Sequence, residues 1–306
     1  MRLYLFLIVV LAVLAAAVTF PAEAGGVVIV LRKEAPSYEE VKNSFIQQSF
    51  VEQIPGLSTQ PYFLDGGAGD AASLKEISEK KPDAVFTIGN FATKKVRETL
   101  PDVPLVASMV YYPEVDAIVS DPKTVIISSL GSPKVMMAQV KMFRKVKNLG
   151  LLYSSAISPS APPIVAELKS QGVDVVELPV GKAEEIAPAI ESVKGRVQAL
   201  IVLPDPMTHS DNVVRLVVTQ SLSADIMPLS FGENMVSSGI FFSVYFPTDA
   251  VGKKGAQVVK ELVQFQRVPA VRMQVPETTT TALNRGSLQA LKLKIPSSMK
   301  IGVIYE

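Results

Sequence analysis

Residues 83–90 read DAVFTIGN, and residues 198–205 read QALIVLPD. Each stretch is a short apolar run that ends in a glycine or a proline followed by a polar side chain. Runs of this length without polar alternation are typical of strands buried on both faces of a parallel sheet. Because the two stretches resemble each other, we expect an equivalent strand in each half of the chain.

Strand and helix patterns alternate outward from both stretches. Residues 26–31 form another continuous apolar run, and helical spacing follows it as far as Pro55. The alternation restarts near residue 125 and continues to a longer helix that begins at Thr248. Alternating strands and helices predict parallel sheets with helices on both faces. We therefore expect an α/β protein with two similar, doubly wound lobes.

The composition excludes several classes of protein. With 48% hydrophobic and 19% charged residues among 306, the chain is too apolar to be disordered. Only one stretch is apolar and long enough to span a bilayer, which excludes a polytopic membrane protein. Thirty basic residues against 29 acidic ones give a net charge of +1. No excess of positive charge is available for a phosphate backbone, so nucleic acid is not an expected partner.

Motifs for catalysis are missing from the sequence. The chain has no cysteine, which excludes disulfides, thiolate nucleophiles and a lipid-anchored cysteine. It has one histidine, His209. It has no glycine-rich dinucleotide motif, no phosphate-binding loop and no nucleophile elbow. Asp205, His209 and Asp211 are close in sequence, but three such residues in one loop are weak evidence for a metal site. We therefore predict no catalytic residue, no metal and no cofactor.

The first 24 residues predict an export signal. Arg2 is followed by an apolar run over residues 3–20, and residues 21–24 then read PAEA. Small residues three positions and one position before the bond to Gly25 are typical of signal-peptidase cleavage. The alternative is an uncleaved anchor, since the apolar run is long. We predict a signal peptide over residues 1–24, a mature chain that begins at Gly25, and a periplasmic location.

Binding residues are expected where the strands of an open parallel sheet end, because ligands lie beyond the carboxyl ends of such strands. The loops predicted there carry polar and aromatic side chains in both halves of the chain. The candidate binding residues are Arg32, Asn90, Phe91, Ala92, Thr93, Tyr111, Tyr112, Ser154, Ser155, Asp205, Phe231, Glu233 and Tyr245.

The charges of these candidates suggest a class of ligand. The loop over residues 89–93 opens a helix, whose free amide groups suit an anion. Asp205 and Glu233 end strands in the other half and suit a cation. Together they predict a small carboxylate-bearing metabolite such as an amino acid. Two alternatives stay open: both carboxylates are solvated rim groups, or an uncharged or anionic ligand is held by aromatic walls and Arg32.

The order of these segments resembles the ABC-transporter substrate-binding proteins of the tryptophan/tyrosine-binding kind, which have the type I periplasmic binding protein fold. The resemblance covers nearly the whole mature chain and rests on order and spacing. The stretches that carry it are residues 81–90, 103–106, 149–154, 199–205, 227–231, 242–245, the Gly252-x-x-Gly255 helix, and residues 284–295.

The resemblance implies two lobes joined by three crossovers that act as a hinge, with a ligand clamped between them. Lobe one would comprise residues 27–129 and 247–275, and lobe two residues 130–246 and 276–306. Residues 90–93 would face the ligand carboxylate, and Asp205 and Glu233 would stand at positions of binding loops. Here the sequence departs from the family, because Pro204 and Pro206 flank Asp205 and remove backbone donors.

The resemblance also implies partners. A monomeric binding protein of this kind would deliver its small-molecule ligand to ABC permease and ATPase subunits in the inner membrane. Two other functions stay open at this point. One is a ligand-sensing protein that signals to a membrane receptor or kinase, and the other is an exported α/β enzyme.

Overall fold

Two parallel-dominated sheets organise the chain. The computed structural model describes residues 25–32, 36–110, 118, 120–205, 207–208 and 210–306. The predicted signal peptide and the candidates Tyr111 and Tyr112 lie outside these residues, as do Pro206 and His209. Among the helices that the structure describes, none is long and apolar enough to cross a membrane.

The chain builds most of the first sheet before it enters the second. The first sheet contains β1 (Val27–Leu31), β2 (Tyr62–Phe63), β3 (Ala84–Ile88), β4 (Leu105–Ser108) and β5 (Thr124–Ile127). The second sheet contains β6 (Asn148–Ser154), β7 (Asp174–Val180), β8 (Ala199–Val202), β9 (Met227–Ser230) and β10 (Phe242–Tyr245). The chain then returns to the first sheet in β11 (Met273–Gln274) and ends in the second with β12 (Thr280–Asn284) and β13 (Val303–Tyr305).

The strand orders are those of doubly wound sheets. In the described part of the chain the first sheet has the order β11-β5-β4-β3-β1-β2, and its paired strands are parallel. The second sheet has the order β13-β12-β10-β9-β8-β6-β7, and β12 runs antiparallel to β10. The predicted α/β fold with two doubly wound lobes is thereby confirmed. We call the first sheet with its helices the first lobe, and the second sheet with its helices the second lobe.

Helices cover both faces of each sheet. Within the described residues the helices are α1 (Pro36–Val51), α2 (Gly69–Lys80), α3 (Asn90–Thr99), α4 (Pro133–Phe143), α5 (Ala161–Ser170), α6 (Ile186–Ser192), α7 (Asp211–Ser223), α8 (Glu233–Ser237), α9 (Thr248–Phe265) and α10 (Arg285–Ala290). Short 3₁₀ turns span Ser155–Ser160 and Ala183–Glu185. On the first sheet, α1 and α9 pack on one face, and α2 and α3 pack on the other. On the second sheet, α4 and α5 pack opposite α6 and α7.

The α1–α9 pair is held close by two glycines of α9. A Cβ on Gly252 would overlap the Val41 carbonyl oxygen and lie 2.8 Å from the Phe45 amide nitrogen. A Cβ on Gly255 would lie 2.5 Å from the Phe86 ring, which stacks on Phe45 with 4.0 Å between ring centroids. The helix that follows the last parallel strand of the second lobe therefore packs on the first lobe.

Two of the connections between the lobes lie side by side. Leu130, in the first connection, forms an antiparallel bridge with Tyr245 at the start of the second. A Cβ on Gly131 would overlap the Val244 carbonyl oxygen, so this close approach requires glycine. The third connection joins β11 to β12, which pairs with β10 at Tyr245. The three crossovers therefore leave the two sheets at neighbouring positions.

A candidate ligand-binding cleft

A cavity of about 520 Å³ lies where the two sheets meet. The first lobe contributes Val110 after β4, Ser128 after β5, and the edge strand β11. The second lobe contributes Phe231 after β9 and the start of α5. The volume falls within the range of small-molecule sites, which is about 300–1,000 Å³. The complete lining is Val110, Ile126, Ser128, Ser129, Leu130, Gly131, Ser132, Pro133, Ser160, Pro163, Ile164, Glu167, Phe231, Phe246, Met273 and Val275.

The cavity wall is mainly apolar, with hydroxyl groups and one carboxylate. Oε1 of Glu167 accepts hydrogen bonds from Ser132 Oγ and from the Lys134 amide, both at 3.1 Å. Ser132 is also the N-cap of α4 and accepts from the Val135 amide. Glu167 therefore holds the start of α4 next to the first crossover. Such a wall suits a ligand with an apolar body and few polar groups.

A cationic and aromatic cluster occupies the edge of the first lobe. The Arg32 guanidinium carbon lies 5.3 Å from the centre of the Phe91 ring, within cation–π range. The Tyr38 side chain packs against Gly89, so that a Cβ there would lie 2.6 Å from the Tyr38 hydroxyl, and the φ of +93° at Gly89 also favours glycine. Burial raises the pKa of Tyr38, and the nearby Arg32 charge partly opposes that rise. Arg32, Tyr38 and Phe91 thus form one cluster beside the start of α3.

The segment that opens α3 divides into half-buried and fully buried residues. Asn90 and Phe91 are half-buried, while Ala92 packs in the core against the first sheet. The Thr93 hydroxyl is buried and donates to the Gly89 carbonyl at 2.9 Å, and it lies 2.8 Å from the Thr87 hydroxyl. The first amides of a helix have no partner within it. This segment can therefore offer a ligand backbone amides and the side chains of Asn90 and Phe91.

Asp205 is buried, and its carboxylate is engaged by neighbouring backbone. It is 2% exposed, and its Oδ1 accepts from the Met207 and Thr208 amides at 2.8 and 3.1 Å. Its Oδ2 accepts from the Ser154 amide at 3.1 Å. Thr208 Oγ1 closes the turn by donating to the Leu203 carbonyl at 2.6 Å. Asp205 therefore ties the end of β6 to the end of β8.

Glu233 is engaged by tyrosines of the second lobe. Tyr305 Oη donates to Glu233 Oε1 at 2.6 Å, and this bond, together with burial, raises the pKa of Tyr305 to about 12. The pKa of Tyr245 is raised mainly by burial, with its hydrogen bond to Glu233 adding to the rise. Tyr305 lies on β13, in a tail that the alternating pattern does not predict as strand. Sequence analysis therefore missed it.

The structure groups the predicted residues in several places. Phe231 lines the cavity, and Arg32, Asn90 and Phe91 lie at the first-lobe edge. Ser154 contacts Asp205, Tyr245 contacts Glu233, and Ser155 begins a 3₁₀ turn. Sequence analysis missed the cavity residues 128–133 and Ser160. Residues 128–133 read SSLGSP, a loop composition directly after a strand, and the rule applied to the other loops would have included them.

Comparisons with known proteins agree with this arrangement. The chain is 20% identical over 294 residues to a "Tyrosine-binding protein" of Clostridioides difficile (strain R20291), covering 89% of this chain and 82% of that protein. A ligand-free, open structure of a substrate binding protein with adhesive properties from Clostridium difficile has a TM-score of 0.72 at 18% identity. The match covers 92% of this chain and 99% of that one.

A second solved structure has the same fold. It is an ABC domain in complex with L-Trp from Streptococcus pneumonia, with a TM-score of 0.64 at 18% identity, and the match covers 91% of this chain and 99% of that one. Residues 65–302 match the sequence model of a family described as ABC transporter substrate binding protein. The match covers most of the chain and agrees with the two-lobe fold and the cavity between the sheets. The chain therefore belongs to the ABC transporter substrate binding protein family.

Proposed function

We propose that the chain is the periplasmic solute-binding component of an ABC-type importer and that it clamps a small carboxylate-bearing metabolite, an amino acid, between its lobes. The observation that carries the proposal is the cavity of about 520 Å³ that both lobes line. The start of α3 and Arg32 bind the ligand carboxylate. The apolar side chain of the ligand occupies the cavity against Phe231.

The ligand ammonium is bound by a second-lobe carboxylate. Glu233 and Asp205 follow neighbouring strands, β9 and β8, and both already accept hydrogen bonds within the lobe. A carboxylate has about four lone-pair sites, so each retains capacity for a further donor. Relatives described as a tyrosine-binding protein and as a complex with L-Trp support an amino acid with an apolar or aromatic side chain.

Binding closes the lobes about the three crossovers. A ligand that touches both lobes stabilises the closed state by its difference in affinity for the two states. In this proposal residues 27–129 and 247–275 move as one lobe, and residues 130–246 and 276–306 as the other. Small-angle scattering should show a smaller radius of gyration on saturation with the ligand. An unchanged radius would contradict closure.

Export and delivery complete the proposed function. Residues 1–24 direct the chain to the periplasm and are removed, and the monomer then docks on ABC permease and ATPase subunits in the inner membrane. Amino-terminal sequencing of periplasmic material should begin at Gly25. Stimulation of ATP hydrolysis by the loaded protein, in vesicles that contain the permease and ATPase, tests the importer role.

A ligand panel tests the class of ligand. Amino acids, dicarboxylates, aromatic acids without an amine, and nucleosides are compared by thermal shift and calorimetry. At a concentration one hundred times Kd the true ligand adds about 2.7 kcal/mol of stability, which raises Tm by roughly 5–10 °C for a chain of this size. A shift with an amine-free compound and with no amino acid would contradict the amino-acid assignment.

A matched pair of variants tests the site. Arg32→Gln should weaken binding of the amino acid about tenfold or more, because a charge-assisted hydrogen bond to the carboxylate is lost. Arg144→Gln is the control, since Arg144 pairs with Asp225 in the second lobe outside the cavity lining. Equal affinities of the two variants would contradict a role for Arg32 in binding.

A further inference from the structure

Gly25 and Gly26, which precede β1, lie in a tight slot of the first lobe. A Cβ on Gly25 would overlap the carbonyl oxygen of Lys81, and a Cβ on Gly26 would overlap the carbonyl oxygen of Gly56. Gly26 also has a φ of +71°, which disfavours other residues. Both positions before β1 therefore require glycine, and the slot fixes the backbone of Gly25 against the loop that follows α2.

Asp83 is the acidic group of this slot. Its Oδ2 accepts from the Gly26 amide at 3.0 Å, and its own amide donates to the Gly26 carbonyl at 2.8 Å. Successive backbone nitrogens are separated by only about 3–3.7 Å, as standard bond lengths and angles require. The Gly25 nitrogen therefore lies at most about 7 Å from Asp83 Oδ2, and the carboxylate keeps lone pairs for another donor.

A second feature of the slot favours positive charge. Lys81 is the αL C-cap of α2, with φ of 48°, and the carbonyl oxygen that faces Gly25 belongs to this cap. The carboxyl end of a helix carries a partial negative charge and stabilises a cation. Two further charged side chains lie in this region, those of Lys81 and Arg267; both are exposed, and Arg267 lines a cavity together with Asp83. A cation at Gly25 is thus favoured by Asp83 and the α2 terminus and opposed by these two exposed charges.

We propose that this slot is a binding site for the new amino terminus that leader cleavage creates at Gly25. Hydrolysis of the Ala24–Gly25 bond adds one water, leaves a carboxylate on Ala24, and converts the Gly25 nitrogen from a neutral amide to an ammonium with three donors. That ammonium pairs with Asp83 and with the Lys81 carbonyl. The inference rests on the proposed export and goes beyond it, because it makes processing a step that stabilises the first lobe.

Three chains of different amino terminus test the proposal without any ligand. One begins at Gly25, one retains Ala24, and one carries Nα-acetylated Gly25. We expect the Gly25 chain to melt about 1–2 °C above the other two near pH 7, because an exposed ion pair contributes up to about 1 kcal/mol, which shifts Tm by about 2 °C in a chain of this size. The α-amino pKa of the Gly25 chain should lie above the ordinary value of about 7.7–8.0. The gap in Tm should therefore close as the pH rises through that pKa.

Substitutions identify the partner of the ammonium. Asp83→Asn keeps an acceptor for the Gly26 amide but removes the charge, and it should remove the gap in Tm, whereas Asp174→Asn on β7 should preserve it. Equal Tm values for the three chains, or a gap that survives Asp83→Asn, would overturn the proposal. An exported chain that begins elsewhere than Gly25 would overturn it too. Loss of ligand binding with an intact gap would instead count against the proposed transport function alone.

Discussion

The two lobes contain similar strand sequences, β3 and β8, but the chain continues differently after each of them. In the first lobe, β3 ends at Ile88, and Gly89 leads directly into α3 at Asn90. In the second lobe, β8 ends at Val202, and a turn tied by Asp205 intervenes before α7 begins at Asp211. The first lobe thus presents helix amides next to a cationic cluster, and the second presents a carboxylate already bound to three amides. Equivalent strands do not imply equivalent binding chemistry.

The lobes also differ in how their helices are held. The first lobe brings α1 and α9 together through glycine contacts and through Ser44, which donates to the Asp249 carbonyl at 2.7 Å. The second lobe fixes the loops after β8 and β9 with hydrogen bonds to carboxylates, which are buried at Asp205 and half-buried at Glu233. The first lobe should therefore be most sensitive to added volume, and the second to loss of polar partners. Four substitutions test this contrast.

The largest effect is expected from Gly252→Val in the first lobe. A side chain there would overlap the backbone of α1, so the helices must separate or the core must shift. We expect a loss of about 3 kcal/mol or more in the free energy of unfolding, measured by urea denaturation. Gly69→Ala in α2 is the control, since a Cβ there meets nothing within 4 Å. Equal stabilities would contradict the packing argument.

Asp205→Ala should give the next largest effect, in the second lobe. It leaves the amides of Ser154, Met207 and Thr208 without their carboxylate partner. Buried donors without partners cost about 1–3 kcal/mol, so we expect a loss of that order in unfolding free energy. Asp211→Ala, at the exposed start of α7, is the control. A stability that matches the parent chain would show that the buried loop tolerates the loss. Calorimetry on the same variant shows whether the ligand also needs this carboxylate.

Alkaline pH should affect the second lobe through its tyrosines. The pKa values of Tyr153 and Tyr305 are both raised to about 12, the first mainly by burial and the second mainly by its hydrogen bond to Glu233. A raised pKa means that the stabilisation is complete below pH 10 and is lost between about pH 10 and 12. Tyr305→Phe should make unfolding less dependent on pH in that range. An identical pH profile for variant and parent would contradict this.

The smallest effect is expected from Glu52→Gln in the first lobe. Glu52 lies 2.9 Å from Lys260 and joins α9 to the loop after α1. Its pKa is lowered, first by the hydrogen bond from Lys260, so the stabilisation is present above the ordinary pKa and is lost as the pH falls. Exposed pairs contribute only about 0–1 kcal/mol. A larger loss at pH 7 would mean that polar contacts matter equally in both lobes.

The sequence was sufficient to predict the central parallel strands of both sheets. The strand predicted within residues 83–90 spans Ala84–Ile88, because this short apolar run is buried along its whole length and ends before a glycine. The carboxyl-terminal tail was harder to predict, because β12 and β13 do not follow the alternation of strand and helix. The engagement of Asp205 also depends on an amide of Ser154, 51 residues away. Local patterns identify a residue at a strand end, but they do not reveal which distant backbone group will bind it.

The antiparallel course of β12 has a practical consequence. Because β13 runs parallel to β12, the chain reaches Glu306 at the end of the second lobe that is remote from the cleft. Gly25 occupies the corresponding end of the first lobe, at the start of β1. The chain contains no cysteine, so one thiol introduced near each of these positions would accept a fluorophore selectively. Energy transfer between the two dyes would then test the proposed closure of the lobes without obstructing the cavity.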